Sequence, residues 1–268
     1  MSRFLANVLR TLLPAVCLSV SAAVTGAWAH DCALASQHAG IAFPVERLEA
    51  SWRCRLQPIV DDFTTANKIG PIRTPLPEAV YVYLLDRPPT AAALLNRLDL
   101  GLYKAEERGA RRYWGDDGEG TTGLVELIYQ DATHRVYYLD GAYEGAVLPR
   151  VTGKAVVLLR MVPAKEAGTG RESVDTTLVA YTKLDSRFAA GVLSLLRPLV
   201  GSLVAHKLTK GVAAVTQLGW EMQRHPERVL FEAADPPALP AADVAFLAEA
   251  VAAMRSPKLV QGKERAAP

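Results

Sequence analysis

The side chains with most to offer chemistry are aromatic. Tyr81, Tyr83, Tyr129, Tyr137, Tyr138, Tyr143 and Tyr181 crowd stretches that read as sheet, and Trp114 sits at a strand end. Tyrosine combines an apolar body with one hydrogen-bonding tip, which suits a cavity holding a greasy or amphiphilic molecule. Tyr81, Tyr83, Trp114, Tyr129, Tyr138 and Tyr181, with His206 from a long helical segment, are therefore the candidate ligand-contacting residues. For each tyrosine the competing explanation is ordinary strand propensity. For His206 it is a surface or core-hydrogen-bonded position.

Other chemistries find little support. GxSxG, HExxH, a P-loop and a dinucleotide fingerprint are all absent from the sequence. No catalytic residue, metal site or cofactor is expected. Asp116, Asp117 and Glu119 do not follow EF-hand spacing, and with glycines around them a solvated hairpin turn is the better reading. Arg108, Arg111 and Arg112 lie among Glu106 and Glu107, as on a mixed-charge surface. If a leader is cleaved after Ala29, His30 becomes the N-terminal residue and can chelate copper with His38 or His134. Asp31 and Cys32 follow directly, and a disulfide at that point is the favoured alternative.

The N-terminus reads as a secretory signal over residues 1–29. Arg3 and Arg10 give a positive start, residues 12–24 (LLPAVCLSVSAAV) an apolar stretch, and Ala27-Trp28-Ala29 a small-x-small site. The apolar stretch falls short of the ~20 residues needed to span a bilayer, and Pro14 interrupts it. Cleavage near Ala29 predicts a periplasmic or secreted protein. It also leaves Cys32 and Cys54 as an even pair, for which one disulfide is expected and two free thiols are the alternative. Losing Arg3 and Arg10 brings the 30 basic residues down to 28, equal to the 28 acidic ones. A neutral domain has no long-range pull toward nucleic acid or anionic membrane, so no nucleic-acid partner is expected and any membrane contact is transient.

The elements that would position these side chains are read from periodicity. Residues 43–56 hold a short helix, and Pro71, Pro75 and Pro77 mark an extended linker. Residues 80–85 (VYVYLL) read as a strand, followed by a helix over 91–98. Strands follow at 111–114, 124–130, 135–139, 154–162 and 174–183, joined by short polar turns as in an antiparallel meander. A long helical region opens near Asp185 or Ser186 and is divided by Pro198. Beyond it Val200, Leu203, Val204, Leu208, Val212, Val215, Leu218 and Met222 form one stripe up to Pro226. A shorter amphipathic helix runs from Pro240 to about Arg255, and residues 262–268 fray.

This order, with VYVYLLDRP leading into a helix, RVYYLDG in mid-sheet and TTLVAYTKLDS before the closing helix, resembles the START-like superfamily (SRPBCC, helix-grip). The resemblance implies an α+β fold in which a curved antiparallel sheet of about six to seven strands wraps around a long C-terminal helix. It places a START-like domain at 78–228, after an N-terminal extension at 30–77 and before a linker, short helix and tail at 229–268. It implies a binding or carrier protein for a hydrophobic, lipid-like small molecule. A cavity-based enzyme of cyclase, hydrolase or isomerase type, or a structural or partner-binding domain with a filled core, are the alternatives. Whether the striped helix covers a packed core or a cavity stays open at this point.

Overall fold

A computed structural model gives the fold over residues 32–145, 150–185 and 193–255. The segment expected to be a leader, His30, Ser186 and the C-terminal tail lie outside the described residues. In chain order the elements are β1 (Gln37–His38), β2 (Ile41–Ala42), a 3₁₀ turn (Val45–Arg47), α1 (Ala50–Val60), β3 (Thr65–Thr74), α2 (Glu78–Asp86) and α3 (Pro88–Arg97). Then come β4 (Lys104–Gly109), β5 (Arg112–Asp116), β6 (Thr121–Gln130), β7 (His134–Tyr143), β8 (Val151–Lys165) and β9 (Glu172–Leu184). Finally α4 (Leu193–Arg224), α5 (Pro226–Ala234) and α6 (Ala241–Arg255) complete the described chain.

The protein is α+β, built on a 7-stranded sheet in the order β3-β9-β8-β7-β6-β5-β4. Every pairing is antiparallel. From β4 to β9 the chain meanders, and β3 joins the far edge beside β9. The sheet therefore recruits residues 65–74 from the stretch expected to be an extension. Pro71, expected in a linker, sits inside β3 at the register break between Ile69 and Ile72, the kind of position where a strand tolerates the missing N–H. No described helix is long and apolar enough to cross a membrane.

The strand expected over 80–85 is instead the helix α2. Its apolar residues are nearly continuous, so neither a period of 2 nor one of 3.6 stands out, and tertiary packing decides. Val80, Tyr81 and Leu84 bury one helical face into the core. The helix α4 runs through Pro198 without a break, and α5 occupies part of the expected linker.

Both faces of the sheet are covered. Leu56, Ile59 and Val60 of α1, with Leu34, Ile41 and Phe43, pack on Val136, Tyr138, Val156, Leu158 and Val179 of the convex face. Cys32 and Cys54 form a disulfide that ties this layer to α1, 22 residues apart in sequence. Closing a loop of that length is worth ~3 kcal/mol in the chain-entropy treatment. On the concave face, α2 to α6 pack against Val157, Leu159, Met161, Leu178 and Ala180.

One row of residues runs straight across the strands on that face. Gly115 pairs with Gly123, Gly123 with Gly141, and Gly141 with Gly153, so glycines line up across β5 to β8. A Cβ at Gly123 would lie 2.7 Å from the Asp140 carbonyl oxygen, and one at Gly141 2.6 Å from that of Thr122. The backbones approach too closely there for any side chain.

Candidate functional site

Between the concave face and the helices lies a cavity of about 620 Å³. That is roughly four times the ~150 Å³ of an engineered apolar cavity known to take up benzene, and within the ~300–1,000 Å³ of small-molecule sites. Its floor is the face carrying Val125, Leu139, Ala155 and Val157, and its roof is Val200, Leu203, Val204 and Leu208 of α4. Leu84, Leu85, Ala91, Ala92 and Leu95 of α2 and α3 close one side. The empty space shows in the side chains themselves. Val125, Leu139, Leu203, Val204 and Leu208 stay partly accessible although they point inward.

The stripe on α4 therefore divides. Val200, Leu203, Val204 and Leu208 roof the cavity, and Val215 and Leu218 also border it. Leu218 and Met222, each 1% exposed, enter a solid core with Leu76, Leu94 and Met161, braced by Val229 of α5 and Leu247 of α6. Gly219 allows this contact, since a Cβ there would lie 3.0 Å from Leu76.

Polar groups are few and mostly committed. Tyr81 reaches the cavity from α2, and its hydroxyl accepts from Thr176 Oγ1 at 3.0 Å. Burial pushes the Tyr81 and Tyr137 hydroxyls above the usual tyrosine range. Arg135, 3% exposed, donates to Asp86 at 2.6 Å at the end of α2. At the rim, the turn between β5 and β6 is fastened to α4. Lys207 Nζ lies 2.8 Å from Asp117 and 2.9 Å from Glu119, and Lys210 also pairs with Glu119. Burial works against the charge on Asp117, but the Lys207 ammonium and the N–H groups of Thr121 and Glu119 outweigh it and hold the carboxyl below its usual range. The acids of this turn thus serve the turn and the two lysines. Among the described residues no group of metal-ligating side chains comes together.

The candidate residues are dispersed. Tyr81 lines the cavity. Tyr83 points away from it: its hydroxyl donates to Asp243 at 2.5 Å and its ring stacks on Phe246 of α6. Burial and then the Asp243 carboxylate push the Tyr83 hydroxyl up to about 12. Trp114 borders a smaller hollow of about 320 Å³ beside Tyr113 and Leu85. Tyr138 packs under Trp52 and Arg55 of the convex layer. On the same layer, Tyr181 meets His38 and Phe63. Tyr129 donates to Asp131 at 2.8 Å and accepts from Arg47 at 3.0 Å. His206 is exposed on α4. The two histidines considered for copper are engaged elsewhere. His38 Nε2 donates to the Ala35 carbonyl at 3.0 Å, leaving Nδ1 to accept from the Tyr181 hydroxyl at 2.9 Å. His134 Nδ1 lies 2.8 Å from Thr133 Oγ1.

Sequence reading missed Tyr137, Tyr103 and the helices α2 and α3 as cavity walls. Tyr137 and Tyr138 are adjacent, and only the register decides which turns inward: Tyr137 pairs with Val157 on the concave face. Tyr103 lies in the α3–β4 connection, where no periodicity flags it.

No protein-family model and no curated protein matches the chain. Among solved structures it is similar to a conserved protein from Geobacillus kaustophilus, at 12% identity and a TM-score of 0.41, over 58% of this chain and 94% of that one.

Proposed function

We propose that this is an exported START-like (helix-grip) protein that binds or carries a hydrophobic, lipid-like small molecule between its sheet and its long helix. The single observation that carries the reading is the cavity of about 620 Å³ walled by aliphatic side chains. Water gains little there, because it needs two to four polar partners to settle. Each methylene that a guest withdraws from water contributes about 0.8 kcal/mol. The order of one strand, two helices, a meander of strands and a closing helix supports the family assignment. The disulfide supports an oxidising compartment.

The test is native mass spectrometry of protein purified from its own compartment, followed by solvent extraction and rebinding of a neutral apolar fluorophore. A co-purifying hydrophobic molecule near one equivalent, or one-to-one uptake of the fluorophore by extracted protein, is expected. Protein that carries nothing and takes up nothing overturns the reading. Conversion of the co-purifying molecule on incubation would favour the enzyme alternative.

A further inference from the structure

The smaller hollow of about 320 Å³ shares six wall residues with the cavity of about 620 Å³: Leu85, Pro88, Ala105, Gly115, Val125 and Tyr137. They come from the sheet and from α2 and α3, so the two spaces adjoin along the concave face. Gly115 borders both. Unlike Gly123, Gly141 and Gly153, it has no steric need to be glycine: a Cβ there would meet nothing nearer than the Lys104 carbonyl oxygen at 3.9 Å. Its backbone is not left-handed either. The missing side chain therefore leaves open space where the two hollows meet. The smaller hollow is rimmed by the exposed residues Asp86, Arg111 and Gln130. Arg135 balances Asp86. Among the described residues neither the Arg111 guanidinium nor the Gln130 amide has an ion pair or a hydrogen bond. At the rim of the larger space, Asp117 and Lys207 are already paired with each other.

We propose that the two hollows form one bipartite site for a single-chain amphiphile, with its hydrocarbon in the larger space and its oxygen-bearing end, an alcohol or an acid, at the rim of the smaller one beside Arg111 and Gln130. This rests on the cavity being a ligand site. Both rim side chains donate hydrogen bonds that an oxygen accepts. A head group at an exposed rim also keeps most of its water, so it escapes the desolvation cost that a polar group meets in the interior. A chain that passes over Gly115 withdraws more methylenes from water than the larger space covers alone, and each of them adds to the affinity.

The experiment competes linear alcohols from hexanol to tetradecanol against a neutral apolar fluorophore. Each added methylene is expected to tighten binding to wild type about fourfold, up to a length that spans both spaces. Gly115→Val puts a β-branched side chain, which suits a strand, into the passage. It should leave hexanol affinity unchanged and end the fourfold gain at a shorter chain. Gly115→Ala is a smaller plug, should shorten that limit by less, and keeps the test if the valine variant does not fold. Orientation is read from Trp114, which borders the smaller hollow, whereas Trp52 and Trp220 border neither. Dodecanol brominated beside its hydroxyl should quench tryptophan fluorescence more than dodecanol brominated at its far end, and Trp114→Phe should abolish the difference. The same chain-length limit in wild type and both glycine variants, equal quenching by the two bromides, or tighter binding of dodecylamine than of dodecanol and dodecanoic acid each overturn the bipartite site. Failure of every compound, the fluorophore included, instead overturns the cavity reading on which it rests.

Discussion

Ala155 offers a test of the cavity through stability alone. It is the fifth of the 15 residues of β8, paired with Leu139 on one side and Thr182 on the other, and it borders the empty space. Ala155→Leu adds three carbons there. At ~0.8 kcal/mol for each methylene-sized group the gross gain is about 2.4 kcal/mol, and ordering the new side chain returns about 0.5–1. The net expectation is a stabilisation of about 1.5 kcal/mol in extracted, ligand-free protein. With a urea slope of about 2–3 kcal/mol per molar, the midpoint rises by roughly 0.6 M. The neighbouring Val156 is the control. It is fully buried in the convex layer, so Val156→Phe overpacks and should cost about 1–3 kcal/mol. The two substitutions are one residue apart and opposite in sign. A lowered midpoint for Ala155→Leu, by the same margin as Val156→Phe, would show the concave side to be as tightly filled as the convex one.

Three further outcomes follow from the geometry. Cys54→Ser should lower stability by about 3 kcal/mol in chemical denaturation yet leave fluorophore affinity unchanged, because the disulfide lies behind the sheet. Asp243→Ala should cost about 3 kcal/mol, read by the same method: its carboxylate is 4% exposed and takes hydrogen bonds from Tyr83 and Thr90 and an ion pair from Arg87, joining α2, α3 and α6. Lys207→Met should cost about 1 kcal/mol at neutral pH. Asp117 has a depressed pKa when folded, so its share is fully present above the ordinary value of 3.8 and is lost as pH falls through the lower folded value. The gap between wild type and variant should close over that acid range; a gap constant with pH would count against the Asp117 pairing.

Long strands and the helix stripe were legible because each has one dry face. The strands β6, β8 and β9 show it as alternation or as apolar runs, and α4 as the stripe from Val200 to Met222. The edge strand β4 was not, because KAEERG is almost wholly exposed and charge on an edge strand guards against stray pairing rather than filling a core. Residues 80–85 misled because β-branched and aromatic side chains also suit a helix that is apolar on most sides. The site was legible as a place but not as a set of residues. Sequence marks tyrosines on strands but not which face each takes. Tyr138 and Tyr181 fell to the convex layer because the chain supplies a second hydrophobic cover, Leu34 to Val60, that residue patterns gave no reason to set there.

The close backbone approach under the hollow is written in Gly123, Gly141 and Gly153, whereas the capacity of the hollow is set by Val125, Leu139 and Ala155 two residues along the same strands. Backbone spacing and cavity volume are thus under separate control. A library varied only at those flanking positions should yield receptors graded in guest size on an unaltered scaffold, while a single methyl added to the central glycines would deform the vessel itself.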